Sequence, residues 1–341
     1  MSEYRTHIYT RSEDLPEELS NASFFHSREL FILSKQTPRH KPYMVVVHDA
    51  HGHVAAQMLA LVRYRSSWFP PYLYIHCRVL GTGVAAHSND EEACTAHDTP
   101  SAELFALMLQ ELTTKLGRRM LYIEVSHLPQ KMFAYKEFRR LGYFPVRWMS
   151  IHNSLHSHTP EERINDRMQK RIDTAYARGA VTGEVSNEKD FQDFMRLLRH
   201  HNWLKPKRYI PHENFFRGIQ AQKRGRLYLT RFHDHAIGCS AVVYSNSHEA
   251  MQNNAYLWYS AFRRKSYSWL HPDELTIWHA IKDSHRRGYD HICFLDVGLP
   301  FRKNRFRDFI LRFGGKPTST YRWFHTSIGW LNRLLSWLYR D

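Results

Sequence analysis

LYIEVSH at 121–127 and HICFLDVG at 291–298 each read as a short apolar strand carrying one acid, Glu124 or Asp296. An amphipathic run opened by proline precedes each of them, at Pro100 and Pro272. A second short run closing on glycine and proline follows: EFRRLGYFP at 137–145 and FILRFGGKP at 309–317. The pairs Pro100 and Pro272, Glu124 and Asp296, Gly142 and Gly314, and Pro145 and Pro317 are all 172 residues apart. A repeat of this kind predicts two related domains in tandem, which a chain of 341 residues is long enough to hold.

Working outward, PYMVVVHDAHGHVAAQMLALVRY at 42–64 predicts two strands around a turn at Asp49 to Gly52. RLYLTRFHDHAIGCSAVVYS answers it in the second half, with a turn at 233–238. A further strand follows in each half, YLYIHCRVL and AYLWYSAF. The polar stretch at 85–99 is an insertion found only in the first half. The helix expected over 101–116 carries Leu104, Leu107, Met108, Leu112 and Leu116 near the 3.6-residue period, and its counterpart over 273–287 carries Leu275, Trp278, Ile281 and His285. Gly117 and Gly288 stand where left-handed helix ends are expected. Residues 160–180 form a charged helix ending at Gly179, and 24–36 and 190–203 open the two domains. Helices mixed with hairpins in this order predict an α+β (mixed α/β) fold.

Composition narrows the classes. A hydrophobic fraction of 43% with nine Trp, 19 Tyr and 20 Phe supports two packed cores and excludes global disorder. Cys77, Cys94, Cys239 and Cys293 form no C-x-x-C pair, which disfavours a zinc ribbon or a disulfide scaffold and fits a reducing, cytoplasmic setting. Neither a signal-type leader nor a run of 18 apolar residues is found. A formal charge of +15 implies affinity for polyanions such as nucleic acid, phosphorylated precursors or anionic lipid. His200, His201, His233 and His235 lack a third ligand at defined spacing, so no metal is expected.

The closing segment GYFPVRWMSIHNSL, the linker MQKRIDTAYARGA and the pairing of FLDVG with FILRFGG together resemble the tandem GNAT-fold proteins of the Fem peptidyltransferase type. The resemblance runs from about residue 14 to 325 and implies two GNAT-like domains, each a mostly antiparallel sheet flanked by helices. It implies transfer of an acyl group to an amine, with acyl-CoA or aminoacyl-tRNA as co-substrate and no tightly bound cofactor. The sequence departs from the family pattern at Ile310, which stands where the family has a lysine in F-K-x-x-F-G. On this reading the domains are 1–158 and 183–325, joined by a linker helix at 159–182 and followed by an amphipathic helix at 326–341.

Arg78, Gly81 and Gly83 form an R-x-x-G-x-G string resembling the pyrophosphate loop of acetyl-CoA users, where glycine lets backbone N–H groups approach phosphate. The same glycines serve equally as turn residues needing positive φ. Asp296 and Glu124 are the candidate general bases for taking a proton from the acceptor amine, or else structural partners of nearby arginines. Lys205, Lys207 and Arg208, with Arg302 and Lys303, are candidate phosphate ligands, and Trp258, Tyr259 and Ser260 candidate substrate-lining residues. The expected acceptor is an amino-sugar or other phosphorylated cell-envelope precursor. Fem-type transfer from aminoacyl-tRNA to a peptidoglycan precursor, and a non-catalytic basic protein gripping RNA or anionic membrane, are the alternatives. The 326–341 segment, with Trp330 and Trp337 among leucines, either docks on its own protein or contacts a membrane surface.

Overall fold

The computed structural model describes residues 4–66, 73–85, 99–202, 209–245, 253–295 and 297–340. It divides into two compact units, one within residues 1–149 and 319–341, the other within 150–246 and 252–318. In chain order the first unit holds β1 (Arg5–Tyr9), α1 (Arg28–Gln36), β2 (His40–His48), β3 (Val54–Ser66), β4 (Leu73–Leu80), β5 (Val84–Ala85), α2 (Ala102–Leu116), β6 (Tyr122–Ser126), α3 (Tyr135–Arg140) and the start of β7 (Phe144–Ser154). The second holds the end of β7, α4 (Asp166–Ala177), β8 (Ala180–Glu184), α5 (Glu188–Asn202), α6 (Glu213–Ala221), β9 (Gly225–Phe232), β10 (His235–Ser245), β11 (Asn254–Phe262), α7 (Pro272–Arg286), β12 (His291–Phe294) and α8 (Arg305–Ile310). β13 (Lys316–Thr326) begins in the second unit and from Ser319 belongs to the first, as does α9 (Gly329–Leu338).

Each sheet is mostly antiparallel, and the first runs β1-β2-β3-β4-β6-β13. Among the described residues its one parallel pairing joins β4 to β6, aligning His76 with Tyr122 and Arg78 with Glu124. The second runs β12-β11-β10-β9-β8, again with one parallel pair, β11 with β12. The repeat is visible in both: β7 and β13 span 144–154 and 316–326, the same residues offset by 172. β13 closes the first sheet by antiparallel pairing with β6, Trp323 facing Val125, while Ile151 to Ser154 of β7 pair with β12.

Local chemistry explains the elements. Asp49 makes the β2–β3 turn by accepting from the N–H groups of His51 and His53, both at 2.9 Å. Ser101 and Asn165 cap α2 and α4, accepting from Leu104 and Met168. Pro272 opens α7 at a first-turn position, where a missing N–H costs nothing. The buried stripe of α2 is Phe105, Met108, Leu109, Leu112 and Leu116, whereas Leu104 and Leu107 are half-buried. The periodicity is right, and Phe105 and Leu109 turn the stripe away from the expected one. Gly117 also departs from expectation: it is right-handed at φ −57°, and a Cβ there would lie 2.6 Å from Thr113 O. Close approach, not backbone handedness, calls for glycine at that position. Gly288 and Gly179 do adopt the left-handed form, at φ +77° and +95°.

Trp323 of β13 is fully buried in the core of the first unit, stacked on Phe138 of α3 at 4.4 Å and 2°. A core indole of this kind is typically worth about 3–5 kcal/mol against alanine. In the second unit, α5 and α6 bury Phe194, Phe215 and Phe216, and Phe194 meets Phe216 edge-on at 5.5 Å. Asn153, at the end of β7, is fully buried and donates to Phe313 O at 2.8 Å. Cys77, Cys239 and Cys293 are free thiols.

Asp283 of α7 anchors a polar network inside the second unit. Its carboxylate accepts from Tyr228 Oη at 2.5 Å, from Arg287 Nε at 2.6 Å and from Arg286. Burial pushes its pKa up, but these three donors outweigh that and hold it at about 2. Because the folded value lies below the ordinary one, the network stabilises above about pH 4 and its contribution fades as pH falls toward 2. Asp283→Asn is expected to cost about 2–4 kcal/mol at pH 7. Urea midpoints at pH 7, 4 and 3 check this, because the gap between the two proteins should shrink as the wild-type carboxylate takes up its proton.

Candidate functional site

α4 presents a basic stripe. Arg167, Lys170, Arg171, Thr174 and Arg178 follow the i, i+3, i+4, i+7 spacing that brings side chains to one face of a helix. With Asp166, Trp269 and His271 they line an open concavity of about 580 Å³ within the second unit. Arg171 is matched by a partner, donating through Nε and a terminal nitrogen to both oxygens of Glu274, at 2.9 and 2.7 Å. Arg178 lies over the Trp269 ring at 5.5 Å, and that indole is 46% exposed. Arg167 and Lys170 have no ion pair among the described residues and face the concavity as unbalanced charge.

The start of α7 lies alongside. His271 precedes it in a left-handed conformation at φ 47°, and Asp273 and Glu274 occupy its first turn. Both acids are buried, and Asp273 pairs with Arg264 at 3.1 Å. They already complement the positive end of the helix dipole, so the cations available to a ligand here are those of α4.

On β11 the register to β10 shifts: Tyr259 faces Ala241 and Leu257 faces Val242, leaving Trp258 as the extra residue of a β-bulge. The bulge lets Trp258 and Tyr259 stack on each other at 5.7 Å and 21°. Trp258 also packs edge-on against Phe215 and Tyr259 against Phe216, so α6 covers both. Trp258 and Ser260 are buried, and Tyr259 is half-buried.

Glu124 lies in the first unit on β6, buried, with Oε1 at 3.0 Å from Arg322 and 3.4 Å from Arg78. Arg322 in turn lies over the Trp148 ring at 3.9 Å. Alongside, His76 stacks on Tyr122, and burial, with Arg63, Arg65 and Arg78 adding repulsion, pushes it down to about 3. Gly81 and Gly83 have φ of +103° and +98°. Their amides are engaged internally: Gly81 N–H donates to Ser126 O at 2.7 Å and Gly83 N–H to His26 Nε2 at 3.1 Å. A Cβ at Gly83 would meet Gln57 O at 2.5 Å. Arg302 and Lys303 are exposed on a loop that Arg307 holds by donating to Leu299 O and Arg302 O. Asp296, Lys205, Lys207 and Arg208 lie outside the described residues, as does the stretch 86–98 of the first-half insertion. Glu124 and Arg78 are thus brought together, while Trp258, Tyr259 and Ser260 sit in the other unit with the α4 stripe. The stripe was readable as basic residues at helical spacing, but its charge pattern reads first as that of a solvated linker.

Residues 165–303 match the family model described as "Acetyltransferase (GNAT) domain". No curated protein matches the sequence. FemX shares the fold with a TM-score of 0.63 and 10% identity, over 97% of this chain and 100% of that one. L-PGS from Bacillus licheniformis does so with a TM-score of 0.54 and 10% identity, over 86% and 88%. A tandem GNAT protein from the clavulanic acid biosynthesis pathway gives 0.54 and 12%, over 95% and 99%. Residues 165–303 thus match a GNAT domain, and the chain as a whole has the fold seen in FemX and in the tandem GNAT protein.

Glu124 lies between the buried Arg322 and the partly buried Arg78, and Gln at that position leaves the two guanidiniums facing each other without the charge. Glu124→Gln is expected to destabilise the first unit by about 3–5 kcal/mol. Denaturant unfolding followed by tryptophan fluorescence should show the loss as a lower midpoint, and an unchanged midpoint would remove the ion triad from the account of that unit.

Proposed function

We propose that the protein transfers an acyl group from aminoacyl-tRNA to an amine of an amino-sugar or other cell-envelope precursor, and that the α4 concavity holds the phosphates of the tRNA. One observation carries this reading: a basic stripe beside an exposed, arginine-stacked tryptophan. Arg167 to Arg178 spans twelve residues, about 16 Å along a helix, long enough to face several successive phosphates of one strand. Trp269 offers a face on which a base can stack. The committed amides of Gly81 and Gly83 weigh against a pyrophosphate at that loop. An acyl-CoA donor is the second reading, supported by the acetyltransferase description of the family model over 165–303.

The chemistry asks little of the protein beyond placement. The neutral amine attacks the ester carbonyl, an N–C bond forms, the ester C–O bond breaks, and the amine proton ends on the released hydroxyl. Asp296, two residues beyond Phe294 in sequence, is the carboxylate proposed to take that proton first. The bulge at Trp258 supports a substrate-positioning role for β11, since bulges recur beside active sites.

Filter binding of unfractionated tRNA between 50 and 200 mM salt tests the donor. The double variant Arg167→Glu with Lys170→Glu should bind at least about tenfold more weakly, with a log–log salt slope shallower by about two. Equal tRNA binding by both proteins, with a melting temperature raised by acetyl-CoA, would transfer the assignment to the acyl-CoA donor. Asp296→Asn should slow transfer of label from charged tRNA to the amine at least about 100-fold while leaving tRNA binding intact.

A further inference from the structure

We propose that α9 is a docking helix for an anionic lipid surface. Its orientation is inverted for a helix that packs on its own protein. Trp330, Leu334, Trp337 and Leu338 follow i, i+4, i+7, i+8 and are 65, 49, 65 and 61% exposed. The opposite side is held by polar contacts: Asn332 donates to Gly142 O at 2.8 Å and accepts from Thr326 N–H at 2.9 Å, and Arg139 donates to Ser336 O. Tyr339 stacks on Phe144 at 5.8 Å and 17°. The helix is thus fastened in place with Trp330, Leu334, Trp337 and Leu338 turned to solvent and Leu331 and Leu335 half-buried, and none of its residues is fully buried.

The chemistry around that stripe selects the occupant. Arg333 lies within it and Arg340 just beyond it, and Arg139 contacts the helix backbone. Gly117, at the end of α2, and Gly142 both approach the His325 ring, and the exposed Arg118 and Arg119 follow Gly117 in the chain. Two indoles and two leucines framed by arginines match the boundary between acyl chains and phosphate headgroups, where apolar rings enter and guanidiniums stay with the anions. A second protein copy fits less well, because the stripe offers roughly 500 Å², below the ~800 Å² per partner of a stable interface. Ten residues rise about 15 Å, half the ~30 Å hydrocarbon core, so the helix lies in the surface rather than crossing it.

Flotation of the full chain with vesicles of 30% phosphatidylglycerol in phosphatidylcholine, against pure phosphatidylcholine, tests the proposal. The wild type should float with the anionic vesicles and at least about tenfold less with the neutral ones. Trp330→Ala with Trp337→Ala should lose flotation to the same degree at an unchanged melting temperature, because both side chains face solvent. Arg333→Glu should weaken it as well. Absence of flotation on anionic vesicles, equal flotation by the double tryptophan variant, or a wild-type dimer in sedimentation that this variant splits would each overturn the proposal.

Discussion

The pairing of β13 with β6 is the constraint on which the first unit depends. Alternation along that strand sends Trp323 into the core under α2 and α3 and Arg322 to the opposite face, where it meets Glu124. One strand therefore supplies the largest fully buried side chain of the unit and one of the two arginines of its ion triad. A register slip of one residue would exchange the two, placing a guanidinium in hydrocarbon and an indole against a carboxylate. In the second unit the end of β7 stands in the matching position, with Ile151 and Asn153 fixed against β12 and Asn153 closing on Phe313 O. The repeat interval of 172 residues carries Ile151 onto Trp323, so the same strand position does the same work twice.

Electrostatics then distinguish the two copies. The first unit turns several of its arginines inward, Arg78 and Arg322 onto Glu124 and Arg63 toward His76. The second turns them outward along α4 and satisfies its buried acids separately, Glu274 with Arg171 and Asp273 with Arg264. A helix start already neutralised by its own carboxylates has little left for a phosphate, whereas Arg167 and Lys170 of α4 have no ion pair among the described residues. The duplication thus conserves architecture while the placement of its arginines diverges.

Much of the fold was legible because hairpins, capped helices and repeat spacing are local. The β2–β3 and β9–β10 hairpins, the helix starting after Ser101 and the left-handed Gly179 and Gly288 were all written in short stretches. Pairing partners were not, since an apolar run such as that of β13 declares a strand without saying which edge it completes. Gly117 misled because glycine is demanded there by a neighbouring carbonyl, a contact no spacing reveals. At the candidate site, Glu124 was visible as a strand carboxylate, but its two arginines come from strands far away in sequence. The α4 stripe was visible as charge; Trp269 and His271, which turn it into a concavity, come from nearly a hundred residues further on.

The far origin of β13 also sets an order in time. When the chain is synthesised, β6 leaves the ribosome with one edge bare and stays so until Ser319 and its successors follow. That delay covers roughly 190 residues, on the order of ten to forty seconds at ordinary elongation rates. The second unit receives the end of β7 before any of its other strands exist, so it can close as soon as β12 emerges. The half of the protein made first is consequently the half that finishes folding last.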